Sequence, residues 1–155
     1  MKLEDLLSVQ NIATKIDVKD KEQVIKKLID LMGNLHDYGG RDNVFKVVLE
    51  REKLMSTGVG HGIAIPHGKV EQCPKIIASL CTLNNGVDFS SPDQKPINLA
   101  ILLVGPKSET SAHIRALAHI SKLVQDEKTR RDLLEAVTPS MVFDILKKRE
   151  EKFFA

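Results

Sequence analysis

Five histidines and a run of alternating glycines are the features of this sequence whose types and spacing allow chemistry. His67 lies in Gly62-Ile63-Ala64-Ile65-Pro66-His67-Gly68. Pro66 fixes its own φ and steers Ile65 away from helical geometry, so the chain is stiff immediately before His67. Gly68 leaves the imidazole uncrowded. A stiff, open histidine at the end of an apolar strand suits a nucleophile that must meet a partner. The same features also describe an ordinary loop histidine, and spacing alone leaves both readings open.

The remaining histidines separate by helical geometry. His113 shares a stripe with Leu117, Ile120 and Val124, so it faces inward in the first turn of its helix. Free N–H groups and the positive dipole end make that turn favourable for anions. The alternative is a satisfied core histidine. His119 falls among Arg115, Lys122 and Asp126, which reads as the wet face. Six residues turn a helix by about 240°, so His113 and His119 cannot share one metal. His36 and His61 read as solvent-facing. A zinc site from His61 and His67 lacks a third ligand at a recognisable spacing. The nearest acids, Glu50, Glu52 and Glu71, form no carboxylate pair suited to hydrolysis.

The glycines fit no known phosphate loop. Gly58, Gly60 and Gly62 do not spell the dinucleotide fingerprint, and they follow a helix where that motif needs a strand. Gly62 and Gly68 enclose five residues instead of the four of a P-loop, and Val70 follows Lys69. The run reads either as a flexible turn or as a place where another protein's surface approaches the backbone.

These residues need elements to position them. Asp20 with Gln23 predicts a helix start, and Val24, Leu28, Leu31 and Leu35 give it one apolar stripe, with His36 near the Gly39-Gly40 stop. A second helix is expected over Asp42 to Leu54, with Val44, Val47, Val48 and Met55 inward and Arg51 in its last turn. A short strand, Ile63 to Ile65, ends at Pro66. Two more strands are expected over Ile76 to Leu83 and Ile97 to Val104. The second is nearly unbroken in apolar residues, as in a strand covered on both faces. Ser90 to Pro96 is a turn. A helix follows from about Ser108 to Gln125, a shorter one from Thr129 to Ala136, and a last one from the Thr138 cap and Pro139 to Lys147-Lys148-Arg149. With no repeat or linker, residues 1–155 are expected to form one α/β sandwich around a covered sheet.

Composition narrows the function. Apolar residues make up 42%, so the chain has a real core, but aromatics are only 4% and Trp is absent, which argues against a base-stacking platform. A net charge of +2 does not suggest a nucleic-acid binder. Cys73 and Cys81 form neither a disulfide framework nor a zinc knuckle, and a reduced, cytoplasmic setting is expected. Neither a signal peptide nor a membrane span is legible.

The stretch Arg51-Glu52-Lys53-Leu54-Met55-Ser56-Thr57-Gly58-Val59-Gly60-His61-Gly62-Ile63-Ala64-Ile65-Pro66-His67-Gly68-Lys69 resembles the signature of bacterial phosphotransferase-system IIA domains of the fructose/mannitol type, closest to the nitrogen-regulatory branch. Phe89 to Pro106 and Ala112 to Ala118 resemble later segments of that family. The resemblance implies a mixed β-sheet flanked by helices on both faces. It implies that His67 receives a phosphoryl group, on Nε2, from the phospho-histidine of the carrier HPr, and that a IIB domain is the acceptor. It makes His113 the second site histidine and Arg51 the nearby cation. Thr57 and the backbone of Gly58, Gly60, His61 and Gly62 are then expected to add donors at a phosphate-binding rim. His61 departs from the Asn frequent in relatives. No cofactor or metal is expected beyond the covalent phosphoryl group. No IIB or IIC segment is legible, so contact with a membrane is expected only through a transporter complex. The alternative within the fold is a regulatory protein whose His67 phosphorylation selects its target. A remote alternative is a metal-dependent hydrolase using His61, His67 and His113.

Overall fold

Ile97–Pro106 forms β6, the strand around which the other elements are arranged; every residue but Asn98 in it is buried. The computed structural model describes residues 1–154. Side chains alternate across a strand. Leu99, Ile101 and Leu103 therefore enter one apolar core, and Ala100, Leu102 and Val104 the other. Both faces must then be covered, as the unbroken apolar run predicted.

On one side of β6 lies β5 (Ile77–Val87), antiparallel, with β1 (Ile12–Ile16) parallel beyond it. On the other side, β3 (Ile63–Ala64) and β4 (His67–Val70) follow one another along β6, both parallel to it. A short β2 (Gly58–Gly60) pairs antiparallel with β3. The sheet is thus mixed, in the order β1-β5-β6-β3-β2, with β4 also on β6. Neither β1 nor the continuation into β4 was expected. β1 is short, and Pro66 reads as a strand end. Pro66 does remove a ladder donor, but its carbonyl still accepts from the Leu103 N–H at 3.1 Å, so the chain resumes pairing at His67.

The first face is covered by α1 (Lys21–Leu31) and α2 (Arg41–Leu54). Asp20 caps α1 as predicted, accepting from the Gln23 N–H at 2.9 Å. The helix stops earlier than its stripe suggested, because Gly33 takes a positive φ of 78°. Leu35 is buried but lies outside the helix. Met55 is 70% exposed instead of inward: α2 ends at Leu54, and the extended backbone at Met55 takes its side chain off the helical stripe.

The second face is covered by α3 (Thr110–Gln125), α4 (Glu127–Glu135) and α5 (Pro139–Phe153), with Leu3, Leu6 and Leu7 of the N-terminal segment. Thr138 caps α5, which runs one turn past its predicted end. Two helical layers on one sheet give the expected α/β sandwich. Among the described residues, no helix is long and apolar enough to cross a membrane.

α2 lies so close on β4 that only glycine fits at position 68. A Cβ there would stand 2.9 Å from Cγ1 of Val47 and 3.1 Å from Cγ2 of Val48. Gly68→Ala is therefore expected to destabilise the protein by about 1–3 kcal/mol, the usual cost of overpacking. Chemical denaturation of the purified variant measures it, and an unchanged midpoint would show that α2 yields freely.

Candidate functional site

His67 opens β4 beside Leu103 and is half-buried. Its Nδ1 lies 2.9 Å from the Ile65 carbonyl oxygen. A carbonyl can only accept, so Nδ1 carries the proton in the neutral ring. Nε2 is then left with its lone pair. Two residues of one strand, His67 and Lys69, point to the same side. They line an open cleft with Arg51, Val47, His113 and Leu117.

His113 enters this cleft from the first turn of α3, opposite β6. Its ring centroid is 5.6 Å from that of His67, with the planes inclined by 56°. It is only 2% exposed, yet neither ring nitrogen has a hydrogen-bond partner among the described residues. Unpaired buried polar atoms are rare in folded proteins and call for an explanation. No protein group among the described residues pairs with the ring, as one would for a core histidine held by packing alone. Gly105 of β6 lies beneath the ring: a Cβ there would clash with Cγ1 of Ile76 at 2.7 Å and only touch Nδ1 of His113, at 3.5 Å.

Burial holds His67 below the ordinary imidazole value, and the Arg51 and Lys69 charges act in the same direction. The Ile65 carbonyl bond and the Glu52 carboxylate oppose them. His113 is pushed down to about 4, by burial first and then by His67 and Lys69. At neutral pH both rings are uncharged. The site therefore offers an unprotonated nitrogen on His67 beside fixed cations and a second imidazole, an arrangement suited to a transferable anionic group.

Arg51 occupies the last turn of α2, as predicted, and its Nη1 donates to the Met55 carbonyl at 2.7 Å. Lys69 was not singled out from the sequence. Its position two residues after His67 carries the signal only once β4 is recognised as a strand.

The structure does not bring the expected rim to His67. Thr57 is buried and spends both donors on Glu52: its N–H reaches Oε2 at 2.9 Å and its hydroxyl Oε1 at 2.5 Å. The Gly58 N–H is taken by Oγ of Ser56 at 3.0 Å. Gly60, His61 and Gly62 form the β2–β3 hairpin. The Gly62 carbonyl accepts from Asn98, whereas His67 pairs with Leu103. Five residues of strand separate them by about 17 Å. The family resemblance placed these residues at a phosphate rim, although their spacing fits no phosphate loop; pairing to β6 sends the hairpin to the far end of the strand. His61 is exposed there, so His61, His67 and His113 do not converge. Among the described residues, no group of three His, Cys, Asp or Glu side chains is placed to hold a metal.

His119 also departs from expectation. It is buried rather than wet: Nε2 lies 2.6 Å from Oε2 of Glu150, and Phe154 stacks on it at 4.0 Å. The stripe on α3 could not reveal that α5 packs over its other side. His36 is exposed as expected.

This fold and this paired-histidine cleft define a class of phosphotransfer proteins. Residues 5–149 match the family described as "Phosphoenolpyruvate-dependent sugar phosphotransferase system, EIIA 2", and the chain belongs to that family. It is 34% identical over 146 residues to a nitrogen regulatory protein of Bradyrhizobium diazoefficiens, covering 94% of this chain and 95% of that protein. It is 30% identical over 151 residues to the fructose-specific EIIABC component of Bacillus subtilis, covering 97% of this chain but only 24% of that protein. The crystal structure of nitrogen regulatory protein IIA-Ntr from Neisseria meningitidis superposes with a TM-score of 0.87 at 26% identity, covering 93% of this chain and 98% of that one. The relatives thus include both sugar-specific components and nitrogen regulators.

The low value at His113 has a consequence for stability. Its folded value, about 4, lies below the unfolded value of 6.5, so the unfolded chain binds more protons between them. Stability from this group is complete above pH 6.5 and is lost as pH falls toward 4. The loss is about 2–3 kcal/mol. Urea denaturation at stepped pH should show this slope in the wild type and a shallower one in His113→Ala; identical slopes would remove His113 as its source.

Proposed function

We propose that Nε2 of His67 accepts a phosphoryl group from the phospho-histidine of an HPr-type carrier and passes it to a IIB-type domain. In the forward step the donor N–P bond breaks as the Nε2–P bond forms. The donor nitrogen leaves with the bonding pair, and His67 keeps its proton on Nδ1, held by the Ile65 carbonyl. No general base is needed, because the attacking nitrogen is already unprotonated. Phosphoryl transfer depends mostly on positioning and on charge stabilisation of the three peripheral oxygens. Arg51 and Lys69 supply charge, and the N–H of neutral His113 supplies a donor with no competing protein partner. The observation that carries this reading is the pair of buried, unpartnered nitrogens on His113 facing a half-buried His67.

A IIB-type acceptor is supported by the Bacillus subtilis relative, whose name joins an A component to B and C components. A regulatory role is supported by a separate observation: the nitrogen regulatory protein of Bradyrhizobium diazoefficiens aligns over 95% of its own length. In that role the same phosphorylation of His67 governs which target protein docks at the cleft.

Incubation with radiolabelled phospho-HPr is expected to label the wild type at His67 and to leave His67→Ala unlabelled. Full labelling of His67→Ala would reject the assignment. Arg51→Ala should slow uptake by about a hundredfold, the usual effect of removing one transition-state donor. His113→Ala should still accept phosphate but release it faster or pass it on more slowly; wild-type kinetics would return His113 to a packing role. A pull-down with phosphorylated and unphosphorylated protein separates the two roles: rapid loss of label to a IIB domain marks a carrier, and capture dependent on phosphorylation marks a regulator.

A further inference from the structure

Glu52 is the most buried carboxylate among the described residues, and the transfer chemistry does not use it. Its side chain is 2% exposed and lies one residue after Arg51, at the end of α2. An isolated carboxylate at such a site is strongly disfavoured. Here it is fully engaged. Oε2 accepts from Lys21 Nζ at 3.1 Å and from the Thr57 N–H at 2.9 Å, and Oε1 accepts from the Thr57 hydroxyl at 2.5 Å.

These bonds lead to His67 without a break. Glu52 holds Thr57 by two donors. The Thr57 carbonyl accepts from the Ile65 N–H at 3.0 Å, and this bond sets the orientation of Ile65 as the chain leaves β3. The Ile65 carbonyl in turn receives Nδ1–H of His67 at 2.9 Å. Pro66, between the two, allows its neighbours little freedom. Each of these links is 3.0 Å or shorter.

We infer that Glu52 is a positioning residue for His67. Acting through Thr57 and Ile65, it fixes the tautomer that leaves Nε2 free. The inference rests on His67 being the phosphoryl acceptor. A neutral imidazole in the other tautomer carries its proton on Nε2 and cannot attack. The Glu52 charge also acts on His67 in the sense opposite to Arg51 and Lys69, and so offsets part of their effect. Lys21, which also lies over the Phe89 ring at 4.9 Å, neutralises the carboxylate without reaching the cleft. A residue that only tied α2 to β2 would need neither this charge nor the link to Ile65.

The tautomer can be read directly from long-range ¹H–¹⁵N spectra of the histidine ring, at a pH where His67 is neutral. In the wild type, His67 is expected as a single Nδ1–H form. Glu52→Gln keeps the shape but places donors where acceptors are needed. In it the spectrum should show both tautomers, and uptake from phospho-HPr should slow by about tenfold, in the range seen when groups orienting a reactive imidazole are removed. Thr57→Val should act in the same direction, and Thr57→Ser, which restores the hydroxyl, should recover both readouts. If Glu52→Gln does not fold, Thr57→Val carries the test, since it loses only one bond. A single Nδ1–H tautomer in the folded variants, whatever their rate or melting temperature, would overturn the inference. So would a mixed tautomer with an unchanged rate. A wild type that takes up no phosphate at His67 would instead overturn the proposed function, while the tautomer measurement would still report on the positioning.

Discussion

A strand buried on both faces constrains everything else in this protein. β6 has no polar face to give to water, so each side must be closed by helices whose apolar stripes match its alternation. Leu99, Ile101 and Leu103 call for α3 to α5; Ala100, Leu102 and Val104 call for α1 and α2. The site is a product of this closure. β4 pairs with the C-terminal half of β6, and α2 comes down on β4 at Gly68. The chain then leaves β6 through Gly105 into the turn that starts α3. His67, Arg51 and His113 reach one cleft because three elements meet at the same end of one strand.

The electrostatics of that cleft follow from depth. His113 is removed from water with no partner, so its charged form is disfavoured. Burial is also the main reason His67 is held below the ordinary imidazole value, and the charges of Arg51 and Lys69 act in the same sense. The result is a pair of uncharged imidazoles among fixed positive charges. Neutral imidazoles beside fixed cations suit an anionic group. Exposed Ile114 and half-buried Val47 and Leu117 beside the charges give the cleft an apolar margin. Such a margin suits a protein partner better than a small solute.

Glu52 shows how closely stability and chemistry are joined. A buried carboxylate is a poor choice for stability alone, because an apolar residue of similar shape often serves as well. Its bonds end on the residue that orients His67. The signature stretch from Arg51 to Lys69 therefore holds two kinds of residue. Arg51, His67 and Lys69 face the cleft, while Glu52, Thr57 and Ile65 form the wall behind it.

The sequence by itself determined the strong periodicities and the local constraints. The covered strand β6, the caps at Asp20 and Thr138, the stiff turn at Pro66 and the inward face of His113 all depend on neighbours within a few residues. Those were legible. Tertiary structure decided what depends on neighbours far along the chain. The family resemblance placed the glycine hairpin at a phosphate rim, but pairing to β6 carries it about 17 Å away. His119 looked wet because its partners, Glu150 of α5 and Phe154 just beyond it, come thirty-odd residues later. Lys69 and Glu52 gained their places only when β4 and the turn at Thr57 were laid against the sheet. Spacing reports which side chains share a face of one element. Which faces meet is set by how the elements bury their apolar surface together, and that is where this site was made.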